Sequence, residues 1–509
     1  MHPCLRLGEI IQIILSYLDL KATTSLARTC QTFQEPSLNI IWSKLDNITP
    51  LVRTLPPDLW KIEKYPNKYV FARPMGLEDW TIFHRNARRV RSLRLLCHRG
   101  TSAIFTSLSA PPDPSYLFPN LRQLDCEESY DNHDDYINVT FLRHLLRPSL
   151  VSLTLQLSPR TYRTMTDLQS LPITCPQIKQ LSVYEPCPGQ EESPITPDII
   201  SQIIRGCHHL QEVTCNRPSD HALHHMAQMA SLKTLSIDLG LLERFSPSHH
   251  FRGTLKIEFS FVALRAFTIK GPSFNSICQF LKRCRLPVRD LLISSDGDGD
   301  DTAHNLIACL PDQCLNDALV KLDIMDAQFD ISSQSQGFSI ANLRPLCAFT
   351  NLSHFSISTI CWSLLDDSGL EELAMAWPNL QYFQLMETIL EKPSAITLSG
   401  LGALIKHCPR LGFISLVIDA TVVPIATSLM LAFETRNTKI TALDLGNSRI
   451  VSPELVAAFL YRIAPNLREI ETSLSSTSEG ERRVKNWAQV EALMGDASWR
   501  DAQALRDSV

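Results

Sequence analysis

A six-residue pattern recurs along most of this chain: an apolar anchor, two residues, a second apolar residue, one residue, and a third apolar residue. It reads VRSLRL from Val90, LRQLDC from Leu121, LVSLTL from Leu150, IKQLSV from Ile178 and LQEVTC from Leu210. It continues as LKTLSI from Leu232, LRAFTI from Leu264, VRDLLI from Val288, LVKLDI from Leu319 and LSHFSI from Leu352. The last four copies are LQYFQL from Leu380, LGFISL from Leu411, ITALDL from Ile440 and a degenerate LREIET from Leu467. Successive side chains of a strand point to opposite faces, so the alternation predicts a short strand with one buried face at each copy.

The stretches between copies carry the helical period instead. In SGLEELAMAW, Leu370, Leu373, Ala374 and Trp377 fall at i, i+3, i+4 and i+7, and Leu401, Leu404, Ile405 and Cys408 do so in SGLGALIKHC. Proline punctuates the return to the strand in FPNL, RPSL, CPQI, WPNL, CPRL and APNL. It lacks an N–H and disfavours helix in the residue before it, so it ends each helix just ahead of the strand. Such a unit cannot bury its apolar face by itself, and stacking many of them builds a continuous core. The expected fold class is α/β: a solenoid of about 14 irregular repeats over 90–475, with a curved parallel sheet and helices on its outer face. The repeats average about 29 residues, ranging from 22 (Leu210 to Leu232) to 33 (Leu319 to Leu352).

The first 60 residues follow a different rule. Leu7, Ile10, Ile11, Ile14, Leu15 and Leu18 lie on one helical stripe, with Glu9, Gln12 and Ser16 opposite. Asp19 is placed to cap a second helix carrying Leu26, Cys30 and Phe33. Pro36 suits the first turn of a third, with Leu38, Ile41, Trp42 and Leu45. Three short helices make a small core, which has to lean on the repeats or on a partner. Ile13 and Tyr17 sit off the stripe, and a partner helix would account for them. The remaining segments are a basic connector over 61–89 that packs onto the first repeat, and a tail over 476–509. In the tail a polar stretch precedes an amphipathic helix with Trp487, Val490 and Leu493, expected to cap the last repeat.

Composition narrows the function classes. Hydrophobic residues make up 44% and charged residues 20%, as in folded globular proteins, and a net charge of −5 argues against a dedicated nucleic-acid binder. The fifteen cysteines form no CxxC pair, and neither Cys278 with Cys284 nor Cys309 with Cys314 has partners at zinc spacing. Reduced thiols and a cytoplasmic or nuclear location follow. No window reaches the ~18 uninterrupted apolar residues of a spanning helix, and the opening stretch, split by Gln12 and followed by Asp19, does not read as a signal peptide.

No catalytic motif emerges. GxxxxGK followed by Ser or Thr, GxGxxG, GxSxG and HExxH are all missing. DGDGDD at Asp296 begins like a calcium loop, but Asp301 replaces the turn glycine and Ile307 the closing Glu. His208, His209, His221, His224 and His225 cluster without metal-ligand spacing. Ten Lys and Arg lie between Lys61 and Arg99, near Trp80 and Phe83, and read chiefly as a solvated face. No cofactor, metal or enzymatic activity is expected.

A binding surface is expected on the open, concave face of the sheet. Most repeats place small or polar residues there, such as Ser152, Thr154 and Gln156. Tyr382 and Met386, then Phe413 and Val417, with His354 just before, form an aromatic and Met cluster of the kind that anchors partners. Alternatively the tail, with Trp487 and Trp499, folds back to cover it.

The N-terminal residues resemble the F-box. Leu7, Glu9 and Ile10 match the start of its motif, with Gly8 where the family has proline; Ile14, Leu18, Leu26, Ala27, Cys30 and Phe33 match later positions. The segment IIWSKLDNITPLVRTLPPDLW is similar to F-box domain-containing proteins of basidiomycete fungi, and the later pattern resembles leucine-rich repeats. The Asn that usually closes the strand turn of such repeats is rare here, as Asn216 and Asn447.

The resemblance implies a substrate-recognition subunit of a Skp–cullin–F-box E3 ubiquitin ligase. An F-box-like bundle would dock on the Skp adaptor of the cullin core through Leu7, Gly8, Glu9, Ile10, Ile13, Ile14, Tyr17, Leu18, Leu26 and Cys30, and the repeats would bind a target protein. The other readings are a repeat scaffold that joins no ligase and, more remotely, a regulator of small GTPases.

Overall fold

The computed structural model describes residues 7–63, 68–97, 102–112, 117–128, 139–156, 166–184, 195–240, 259–296, 303–326, 337–359, 364–387, 394–424, 436–473 and 477–507. The chain is α/β and divides into two compact units, Met1–Leu232 and Lys233–Val509. Fifteen parallel strands carry the repeat architecture, six in the first unit and nine in the second.

The first unit opens with three helices, α1 (Gly8–Ser16), α2 (Leu20–Ala27) and α3 (Gln31–Ile41). Its strands are β1 (Lys44–Leu45), β2 (Ser92–Cys97), β3 (Gln123–Glu128), β4 (Ser152–Gln156), β5 (Gln180–Tyr184) and β6 (Glu212–Asn216), paired in that order. β1 was not expected: two residues are too few to show alternation, yet Lys44 and Leu45 pair with Ser92 and Leu93. Sheet structure therefore begins well before Val90, inside the segment read as helical. The basic connector is also structured, as an antiparallel pair Trp60–Glu63 and Lys68–Phe71 followed by α4 (Leu77–Ala87). Arg89 joins these parts: it donates to Glu35 Oε2 of α3 at 2.7 Å and also to Asn39. Two later helices, α5 (Ile195–Gly206) and α6 (Asp220–Gln228), pack on each other, and α5 also contacts β6.

The second unit runs through β7 (Thr234–Asp238), β8 (Ala266–Gly271), β9 (Asp290–Ser295), β10 (Lys321–Asp326) and β11 (His354–Thr359). It continues through β12 (Tyr382–Glu387), β13 (Phe413–Leu416), β14 (Ala442–Asp444) and β15 (Glu469–Glu471). Each strand pairs in register with the next. Its helices include α7 (Phe274–Leu281), α8 (His304–Gln313), α9 (Asp367–Ala376), α10 (Leu398–His407) and α11 (Pro453–Ile463). The tail forms α12 (Ser478–Gly495) and α13 (Ala497–Asp507).

All fourteen hexapeptides become strands, each beginning at the third residue of the pattern. The anchor, the second and the third apolar positions are buried, as at Leu380, Phe383 and Leu385. A repeated backbone device holds neighbours together. The carbonyl after most anchors accepts two N–H groups from the following repeat: Ser353 O from Gln381 and Tyr382, Gln381 O from Gly412 and Phe413. Side chains just before the anchors add a second tie, with Asn120, Asn351 and Asn466 donating to the carbonyls of Arg88, Asp317 and Thr438 at 2.7–2.8 Å.

The prolines act as their chemistry requires. Cys175, Trp377, Cys408 and Ala464, each followed by proline, close their helices with φ between −139° and −117° and ψ between 61° and 72°. Trp377 is fully buried there, lies against Phe355 with ring centroids 4.7 Å apart and planes tilted by 33°, and donates Nε1–H to Leu346 O at 3.3 Å. Trp377→Ala is expected to destabilise the second unit by about 3–5 kcal/mol, read as a lower urea midpoint; an unchanged midpoint would contradict this packing.

Candidate functional site

Two surfaces stand out, one in each unit. In the first, α3 packs against both α1 and α2. Asp19 caps α2 by accepting the Ala22 N–H at 2.7 Å. Of the α1 stripe, Ile11 and Leu15 are buried and Ile10, Ile14 and Leu18 half-buried. Leu7, Ile13, Tyr17 and Leu20 are 53%, 58%, 85% and 64% exposed. Leu7 was expected within the stripe, but it precedes the first turn as N-cap and faces solvent. Glu9 is exposed in the first turn, where a carboxylate favours the positive end of the helix.

The boundaries of the second and third helices differ from the sequence expectation. α2 ends at Ala27, with Leu26 half-buried in its last turn, and Cys30 is the N-cap of α3. Phe33 therefore belongs to α3, and Pro36 lies inside that helix, one turn later than expected. The apolar spacing ran across a helix break that no glycine or proline marks. Gly8 is the first residue of α1, and a Cβ there would meet nothing within 4 Å.

In the second unit the open face of the sheet carries one row of side chains in strict register: Lys321, His354, Tyr382, Phe413, Ala442 and Glu469. Strands lie ~4.8 Å apart, which is the spacing at which planar groups stack. His354 lies on Tyr382 with centroids 4.2 Å apart and planes 10° apart, and Tyr382 lies on Phe413 at 4.8 Å and 14°. All three rings are half-buried.

The next row is Asp323, Ser356, Gln384, Ser415, Asp444 and Glu471. His354 Nε2 and Asp323 Oδ1 are 2.8 Å apart, Lys321 Nζ is 3.1 Å from Asp323, and Tyr382 donates its hydroxyl to Gln384 at 2.5 Å. Burial would raise the Asp323 pKa, but its bonds to His354 and Lys321 outweigh that and hold the carboxyl below the usual range. Burial raises the Tyr382 phenol, and the Asp323 and Asp444 carboxylates push it the same way.

Of the five residues expected on this face, His354, Tyr382 and Phe413 come together. Met386 pairs with Ser358 along the backbone, and its side chain lies outside the described residues. Val417 does not join them. It is 4% exposed, because β13 ends at Leu416 and the alternation stops there, leaving Leu416, Val417 and Ile418 all buried. Among the described residues the tail does not fold over the rings either. Trp487 of α12 donates to Ser448 O at 2.9 Å, and Trp499 meets Tyr461 edge-on. Val490 and Met494 complete the buried face of α12, with Leu493 only half-buried.

Other sequence features resolve into structure. Trp80 and Phe83 are core residues. Several cations of the basic stretch are paired: Arg73 with Asp58 and Asp79, Arg89 with Glu35, Arg94 with Glu127. Within the His208–His225 cluster, the rings of His208 and His225 meet, with centroids 5.3 Å apart. Among the described residues no group of three His, Cys, Asp or Glu is placed to hold a metal, and no helix is long and apolar enough to cross a membrane. Residues 297–301 of the DGDGDD stretch lie outside the described residues.

No family model matches the chain, and no curated protein matches it. Among solved structures, it is similar to a chain in the crystal structure of the Rad7 and Elc1 complex in yeast. The identity is 13% and the TM-score 0.38, over 93% of this chain and 91% of that one. At that TM-score the likeness carries no functional weight.

Two substitutions test these geometries. Proline at a first helical position forfeits no intrahelical bond, and Leu7 already has the extended backbone a following proline needs. Gly8→Pro is therefore expected to raise stability by about 0.4–1 kcal/mol; a drop in the denaturation midpoint would contradict this helix start. Asp323 has a depressed folded pKa, so its contribution is present above the unfolded carboxylate value and is lost as pH falls through the folded one. In Asp323→Asn the acid side of the stability profile should be shallower than in the parent, and identical slopes would exclude the His354–Asp323–Lys321 linkage.

Proposed function

We propose that this chain is the substrate-recognition subunit of a Skp–cullin–F-box E3 ubiquitin ligase. α1, α2 and α3 dock on the Skp adaptor, and the repeats, leucine-rich in pattern, hold a target protein. The observation that carries the proposal is the exposed apolar set Leu7, Ile13, Tyr17 and Leu20 on a short helical module. Contiguous apolar side chains left in water mark an interaction site, and Tyr is among the residues that dominate such interfaces. Of the F-box-like residues, Glu9, Ile10 and Ile14 lie on α1, Leu26 on α2, Cys30 at the N-cap of α3, and Leu18 in the turn between α1 and α2.

In this reading the chain performs no bond chemistry. It works in the cytoplasm or nucleus, and the His354–Tyr382–Phe413 row is its target-facing surface. A scaffold that joins no ligase is the second reading, favoured by Gly8 where the F-box family has proline.

Co-expression with a Skp adaptor separates the two. The intact chain is expected to co-purify with the adaptor. Ile13→Asp and Tyr17→Asp, both on exposed positions, should weaken capture at least ~30-fold, the loss of a hot spot, with unchanged far-UV circular dichroism. An intact, folded chain that purifies without the adaptor would exclude the ligase reading.

A further inference from the structure

The aromatic row of the second unit ends in a gap. Phe413 is stacked by Tyr382 on one side. Its neighbour on the other side in the same register row is Ala442, whose own neighbour is Glu469. A methyl group thus stands where three successive strands carry rings, leaving two strand spacings, ~9.6 Å, between the Phe413 ring and the Glu469 position, room for one more plane over Ala442. Carboxylates border it. Asp444 and Glu471 occupy the adjoining row, and Asp444 is fixed by the Ser415 hydroxyl at 2.9 Å and the Gly446 N–H at 3.1 Å. Among the described residues no lysine or arginine pairs with Asp444, Glu469 or Glu471.

We propose that the gap over Ala442 receives an arginine side chain of a partner polypeptide, its guanidinium stacking on Phe413 as the fourth plane of the row and bonding to Glu469, Glu471 and Asp444. Charge complementarity selects a cation. Shape selects arginine: its guanidinium is flat, stacks on aromatic faces and pairs with carboxylates in a fork, whereas the lysine ammonium is a hydrated point charge. Citrulline keeps the plane without the charge. The proposal rests on the reading of this face as target-binding and adds the residue it selects.

The test uses the full-length chain and three blocked tripeptides, acetyl-Gly-Arg-Gly-amide and its lysine and citrulline counterparts, with binding followed by saturation-transfer NMR. The arginine peptide is expected to bind about tenfold more tightly than the other two, a difference of about 1.4 kcal/mol. Ala442→Leu, which fills the gap from an open face, and the pair Glu469→Gln with Glu471→Gln should each weaken the arginine peptide at least fivefold. The double variant keeps the test decisive if Ala442→Leu fails to fold. Equal binding of the lysine peptide, or arginine binding that survives both changes, overturns the proposal. The tripeptides report on this sheet face and adaptor capture on α1 to α3, so failure of one is distinguishable from failure of the other.

Discussion

The in-register pairing of parallel strands governs everything else in this chain. Once β11, β12 and β13 align residue for residue, every side chain at one pattern position falls into a row, and every row keeps the strand spacing. On one side the rows are Leu, Ile and Phe against helices. On the other they stay open, so whatever the sequence places there is displayed at a fixed interval. The stack of His354, Tyr382 and Phe413 is a direct product of that interval. A one-residue slip would turn each ring into the core and each core residue outward. The double acceptance at the carbonyl after most anchors, those of β11 and β12 among them, holds that alignment through the backbone.

The same constraint explains what the sequence disclosed. Periodicity is a property of burial, so the fourteen strands and the helices behind them, where apolar positions repeat, were legible. Lys44–Leu45 was not, because a two-residue strand has no period and joins the sheet only through its pairing with Ser92 and Leu93. The α2–α3 break was misplaced because Leu26, Cys30 and Phe33 keep helical spacing across it. At the candidate site the outward set was readable only as far as the alternation lasts. Tyr382 and Phe413 obey it, whereas Val417 lies one residue past the end of β13 and turns inward. The gap over Ala442 was invisible to pattern reading, since an alanine on an open face carries no hydrophobic signal and gains meaning only between Phe413 and Glu469.

The two surfaces differ in physical character, and so in the partners they suit. The helical module offers exposed apolar side chains, with Tyr17 largely in solvent and Ile11 and Leu15 buried beneath them. Burying such groups against a partner gives affinity through area. The sheet face offers stacked rings bordered by carboxylates, a combination that gives discrimination by shape and charge. The proposed receptor role calls for one surface of each kind.

The claim that α1 and α2 form a docking face is tested most directly by amide hydrogen–deuterium exchange of the full-length chain with and without a Skp adaptor. The account predicts slowed exchange across Gly8–Ala27, with β10 to β13 unchanged. Exchange over Gly8–Ala27 that is the same with saturating adaptor as without it would contradict the account.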